Sequence, residues 1–224
     1  MNSPAKKIIP MTPVPEIPDD IWKGIKEWLA TDPRKLIPAA DRGFTAMVKS
    51  ALKHPLADPN ASDQHDQTAL MRAALKNHVS VAAVLLADER TDPNLRDEDG
   101  QTALIFAVGK VDHESAEMVR ILLESDRVHP NIPDHWGCTA IIYAAEGQHV
   151  EVVRMLLKDD RVDLNVADCE DNTALIQAAK RGYVEVVRLL LNVPRVDADA
   201  IGGGGWTALT IAAYRGFTEV VNLF

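Results

Sequence analysis

Residues 168–191 read DCEDNTALIQAAKRGYVEVVRLLL. Thr173-Ala174-Leu175 opens a first apolar segment in which Ala178 and Ala179 stand side by side, small enough for two helices to approach closely. Val186-Val187 and Leu190-Leu191 then supply the apolar stripe of a second helix. The stretch reads as helix, turn, helix, with a hairpin-like loop before and after it.

The same arrangement recurs along the chain. The threonine triplet stands at Thr68, Thr102, Thr139, Thr173 and Thr207, at spacings of 34, 37, 34 and 34 residues. Five residues after each threonine comes a small pair, from Ala73-Ala74 to Ala212-Ala213. Aliphatic pairs close the second helix at Leu85-Leu86, Leu122-Leu123, Leu156-Leu157 and Leu190-Leu191, with Ala51-Leu52 as an earlier copy. Asn60, Asn94, Asn131, Asn165 or Asp199 follows eight residues later. A period in this range marks a stack of like units, each exposing an apolar face that only a neighbour buries. Such a chain is elongated and built to bind.

This pattern resembles the ankyrin repeat, from roughly Asp32 to Phe224, and the 168–191 stretch carries the likeness most fully. The resemblance implies an all-α, ankyrin-type helical solenoid of about six repeats with short hairpin-like finger loops. Departures from the family pattern are specific. Met71, Ile105, Ile142, Ile176 and Thr210 stand where the family places histidine, so apolar packing is expected to replace a histidine hydrogen-bond network. Arg-Val-Asp or Arg-Thr-Asp stands where the family often has Gly-Ala-Asp, which lengthens the unit by one residue. Three extra residues around 110–115 predict a protruding loop between two helices. The asparagine series is expected to serve the hairpins.

The ends differ from the middle. Residues 1–18 hold prolines at 4, 10, 13, 15 and 18, which predicts an extended arm without helix or sheet. Over 19–31, Asp19 and Asp20 precede Ile21, Trp22, Ile25, Trp28 and Leu29 on one helical face, the pattern of a capping helix. The solenoid is then expected over 32–224, its last repeat incomplete. There, Val220, Val221, Leu223 and Phe224 occupy apolar positions with no cap after them, so self-association through this face is one expectation.

A net charge of -9 and a pI near 5.2 speak against general binding to nucleic acid or anionic membranes. Two cysteines, no signal-peptide pattern and no 18-residue apolar run predict an intracellular protein, cytoplasmic or nuclear.

In ankyrin-like proteins the usual binding surface is the concave side formed by finger tips and first helices. Carried over position by position, the candidate partner-binding residues are His65, Glu98, Asp99, His135, Trp136 and Trp206 from the fingers. Phe106, Lys110, Tyr143, Glu146, Lys180, Arg181, Tyr214 and Arg215 come from the first helices. Trp136, Tyr143, Trp206 and Arg181 are the expected anchors, because Trp, Tyr and Arg dominate interface hot spots. A protein partner is the leading expectation, with no cofactor and no metal. The rival is a small-molecule site, or an unusual enzyme, in an aromatic groove near Phe106, Tyr143, Trp136 and Cys138. Glu98, His135 and Cys169 share one position of successive fingers, but stacked layers lie about 8–10 Å apart and a working nucleophile and base about 3 Å. No catalytic residues are therefore expected. Gly202-Gly203-Gly204-Gly205 lacks the Lys-Ser/Thr of a phosphate loop and reads as a mobile fingertip. His78 and His149 alternate with Tyr183 and Phe217, which points to packing and hydrogen bonding at the helix start.

Overall fold

The computed structural model describes residues 35–55, 57–109 and 116–224. The arm expected over 1–18, the capping helix over 19–31 and the loop at 110–115, Lys110 included, lie outside the described residues.

Twelve α-helices are described. They form six antiparallel pairs: α1 (Leu36–Asp41) with α2 (Thr45–Leu52), α3 (Ala69–Leu75) with α4 (Val79–Leu86), and α5 (Ala103–Gly109) with α6 (Ala116–Leu123). The rest are α7 (Ala140–Glu146) with α8 (Val150–Lys158), α9 (Ala174–Arg181) with α10 (Val184–Leu191), and α11 (Ala208–Tyr214) with α12 (Thr218–Val221). Odd-numbered helices stack on odd-numbered ones and even on even, so an inner and an outer layer run along the stack.

The recurring residues have separate tasks. Thr68, Thr102, Thr173 and Thr207 accept a hydrogen bond from the amide three residues on, capping the inner helix. Five residues later the alanine pairs are buried where inner and outer helices meet, except Ala213 at the last unit. Between the helices the chain turns through a left-handed residue, Gly43, Asn77, Gln148, Gly182 or Gly216. Met71, Ile105, Ile142 and Ile176 are buried between units as expected, whereas Thr210 is exposed and bonds Thr207. His78 and His149 do not cap their helices with their side chains. Instead, the His78 ring reaches the carbonyl of Asp41 in the preceding unit at 3.0 Å.

Two side-chain ladders tie each unit to the next. Asn60, Asn94, Asn131 and Asn165 donate to the carbonyls of Arg90, Arg127, Arg161 and Arg195 in the following unit, at 2.7–2.8 Å. Their carboxamide oxygens accept from the amides of Asp92, His129, Asp163 and Asp197. The expected hairpin role of the asparagines is therefore a bridge between hairpins.

The same four arginines form the second ladder. Each sends its guanidinium back to the final carbonyls of the previous outer helix: Arg90 to Leu52, Arg127 to Leu86, Arg161 to Leu123 and Arg195 to Leu157. Those carbonyls are the ones a helix leaves without internal partners. Asp88 and Asp159 fix the arginines beside them, and hydrogen bonding to Arg90 and Arg161 holds both carboxyls below their ordinary range. The extra arginine in each unit thus has a structural purpose.

The outer layer carries a third, weaker pattern. Arg120, Arg154 and Arg188 pair with Glu117, Glu151 and Glu185 along or between outer helices, while α4 has Ser80 and Ala83 at the matching positions.

Arg161→Ala strips the caps from Leu123, Ser125 and Val128 and is expected to cost about 1–3 kcal/mol in urea unfolding. Arg120→Ala, whose ion pairs are exposed, should leave the urea midpoint nearly unchanged. Equal losses in the two variants would show that the ladder does not hold the units together.

Candidate functional site

Each finger is braced from within by an aspartate five residues before the threonine. Oδ1 of Asp63, Asp97, Asp134 and Asp168 accepts from the amides two and four residues on, at 2.8–3.1 Å. A left-handed residue follows at Asp66, Gly100, Gly137 and Asp171. Neighbouring fingers join through backbone bonds from Glu98 to His65, His135 to Asp99 and Cys169 to Trp136. Fingertip side chains are therefore held out in a row at fixed spacing.

The last finger departs from this plan, with Gly202 in place of the aspartate. A Cβ at Gly202 would lie 2.8 Å from Asn172 Oδ1, and one at Gly203 2.3 Å from the carbonyl of Glu170. Close approach to the preceding finger requires the glycines, which form a 3₁₀ turn over Gly203–Gly205.

The candidate residues fall into three groups. His65, Glu98, Asp99, His135 and Trp136 are exposed at the tips, Trp136 with 49% of its surface open. His65 Nδ1 lies 2.8 Å from Glu98 Oε1, so fingers interact one position out of step. Among the described residues no hydrogen bond joins Glu98, His135 and Cys169 to one another. Phe106 corrects the groove assignment: it is buried in the core, because its helix α5 sinks every residue from Ala103 to Val108. Tyr143 is half-buried, its hydroxyl donating to Asp134 Oδ2 at 2.5 Å, and burial followed by that carboxylate raises its pKa. Trp206 packs on the core and on the exposed Tyr214, ring centroids 5.1 Å apart.

Glu146, Lys180, Arg181 and Arg215 converge with Trp136 on one open groove of about 540 Å³, also lined by Cys138, Asp168, Cys169, Glu170 and Gln177. Arg181 is fixed by Glu146 and by Gln177 Oε1 at 2.8 Å. Gln177 in turn donates to Asp168 Oδ2 at 2.6 Å. Lys180 bridges to Glu170 at 3.3 Å. Cys138 is buried, and burial pushes its thiol up to about 12. A neutral thiol at physiological pH is a poor nucleophile.

Sequence reasoning overlooked Asp168, which underpins this groove by accepting from Gln177. The signal was present, since Asp63, Asp97, Asp134 and Asp168 recur at the threonine period. Among the described residues no group of three or more His, Cys, Asp or Glu could hold a metal ion. No described helix is long and apolar enough to cross a membrane.

Family models of ankyrin repeats match residues 51–107, 83–168, 111–201 and 160–224. No curated protein sequence matches the chain. Among solved structures, an ankyrin repeat domain from Acinetobacter baumannii AYE is similar at 28% identity and a TM-score of 0.77, over 86% of this chain and 96% of that one. The ankyrin repeat domain of Bcl-3, a member of the IkappaB family, is similar at 27% identity and a TM-score of 0.75, over 84% and 80%. The complex of the predatory endopeptidase Bd0816 with immunity protein Bd3460, from Bdellovibrio bacteriovorus, contains a chain similar at 25% identity and a TM-score of 0.68, over 84% and 95%.

Two outcomes check this geometry. Iodoacetamide at pH 8 should label Cys169 on the folded protein and spare Cys138, both reacting after denaturation; equal labelling by mass spectrometry would contradict the burial. Trp136→Ala should change stability by less than about 0.5 kcal/mol. Trp206→Ala, which loses core and ring contacts, should cost about 1–3 kcal/mol in the same unfolding assay.

Proposed function

Because this chain belongs to the ankyrin-repeat family, whose repeats generally mediate protein–protein interaction, we propose that it is a non-enzymatic scaffold presenting a protein partner on its concave face. The binding surface is the groove between the third and fourth braced fingers. The observation that carries this reading is Trp136, a half-exposed tryptophan that lines the groove together with Glu146, Lys180, Arg181 and Arg215. A large aromatic ringed by charges on a rigid support has the composition of an interface hot spot.

Support also comes from what holds the groove open. Arg181 and Gln177 are bonded before any partner arrives, so their side-chain entropy is already lost and binding does not have to cover it. The likeness to an immunity protein complex agrees with a partner-binding use of this architecture. An enclosed apolar chamber, which a small-molecule site prefers, is not the form of this open, charged groove.

Affinity capture with wild-type protein and the Trp136→Ala variant tests the proposal. The partner should be lost by a factor of about 30 or more, the effect of removing a hot-spot side chain worth 2 kcal/mol, with the unfolding midpoint unmoved. Equal retention by both proteins would remove the binding surface from this groove.

A further inference from the structure

A second cavity, of about 480 Å³, adjoins the first and is lined by Glu170, Asp171, Asn172, Ile176, Lys180, Gly203, Trp206 and Ile211. Glu170 and Lys180 line both cavities, and their 3.3 Å ion pair stands between them. Resting on the groove reading above, we infer that the two cavities form one recognition track for an extended acidic segment of the partner protein. In that segment a carboxylate stands three residues from an apolar side chain.

The charges have unequal freedom. Arg181 is committed to Glu146 and Gln177. Lys180 is held by Glu170 alone, with two-thirds of the Glu170 side chain exposed, and such surface pairs contribute little. Arg215, exposed at the first cavity, has no carboxylate partner among the described residues. A ligand carboxylate can therefore draw Lys180 away from Glu170 and share it with Arg215, an exchange of one ion pair for another. The second cavity differs in its floor, where Ile176, Ile211 and the Trp206 ring accept an apolar side chain. The glycine turn brings one wall of this cavity close to the preceding finger, since a Cβ at Gly203 would collide with the carbonyl of Glu170.

Spacing sets the register. Stacked helical layers repeat at about 8–10 Å. A polyproline II segment returns to the same face every third residue, about 9.3 Å on. One side chain per cavity then requires residues i and i+3.

Peptide-display selection on the intact chain, followed by fluorescence anisotropy of the enriched peptides, tests this. The expected consensus holds an acidic residue three positions from an aliphatic or aromatic one. Lys180→Glu and Arg215→Glu should each weaken binding at least tenfold. Glu170→Gln, which removes the competitor for Lys180, should strengthen it several-fold, whereas a purely structural role for Glu170 would weaken it. Peptides that need Trp136 but ignore both charge reversals would overturn the inference and leave the groove reading standing. Peptides indifferent to Trp136→Ala as well would overturn both, and enrichment of none would overturn the inference.

Discussion

Helices of four to nine residues are too short to persist alone in water. Everything in this protein follows from that constraint. No unit can be stable without a neighbour, so the inter-unit contacts are the fold. Burial supplies most of the attraction, through Leu85, Leu122, Leu156 and Leu190, all fully enclosed. Burial is not directional, and the asparagine and arginine ladders add the direction. They fix how far each unit sits from the next, because a side chain spanning to a neighbour's backbone carbonyl tolerates only a narrow range of separation.

That division of labour explains what could be read from the chain. The threonines, alanine pairs and leucine pairs act within a unit or at its nearest face, so their chemistry is local and their period announces the architecture. The ladders act between residues some 30 to 41 positions apart. An arginine in the linker looks like an ordinary surface charge until its guanidinium is seen against the previous helix end. Phe106 and Trp136 illustrate the same limit. Both are aromatic residues in variable registers, yet one is submerged with α5 and the other stands clear, and only packing separates them. The glycine run reads from the sequence as a mobile fingertip, and its steric role was not legible, since the obstacle is the carbonyl of Glu170, a unit away.

Around the groove the structure separates side chains bonded within the protein from side chains that are not. Asp134, Asp168, Gln177 and Arg181 spend their hydrogen-bonding capacity inside the protein. Trp136 and Arg215 do not, and Lys180 does so only weakly. Residue type made Arg181 an expected anchor and Lys180 a charged neighbour, yet Arg181 is the more firmly held of the two.

The aspartate brace has a consequence beyond stability. It fixes the path of four fingers through one carboxylate and backbone amides, so the side chains of the two residues that follow it are not part of the brace. They read Gln64-His65, Glu98-Asp99, His135-Trp136 and Cys169-Glu170, a different pair in every unit. The frame is constant while the letters on it vary, so a lineage carrying this scaffold can change its fingertips two residues at a time without passing through an unfolded intermediate.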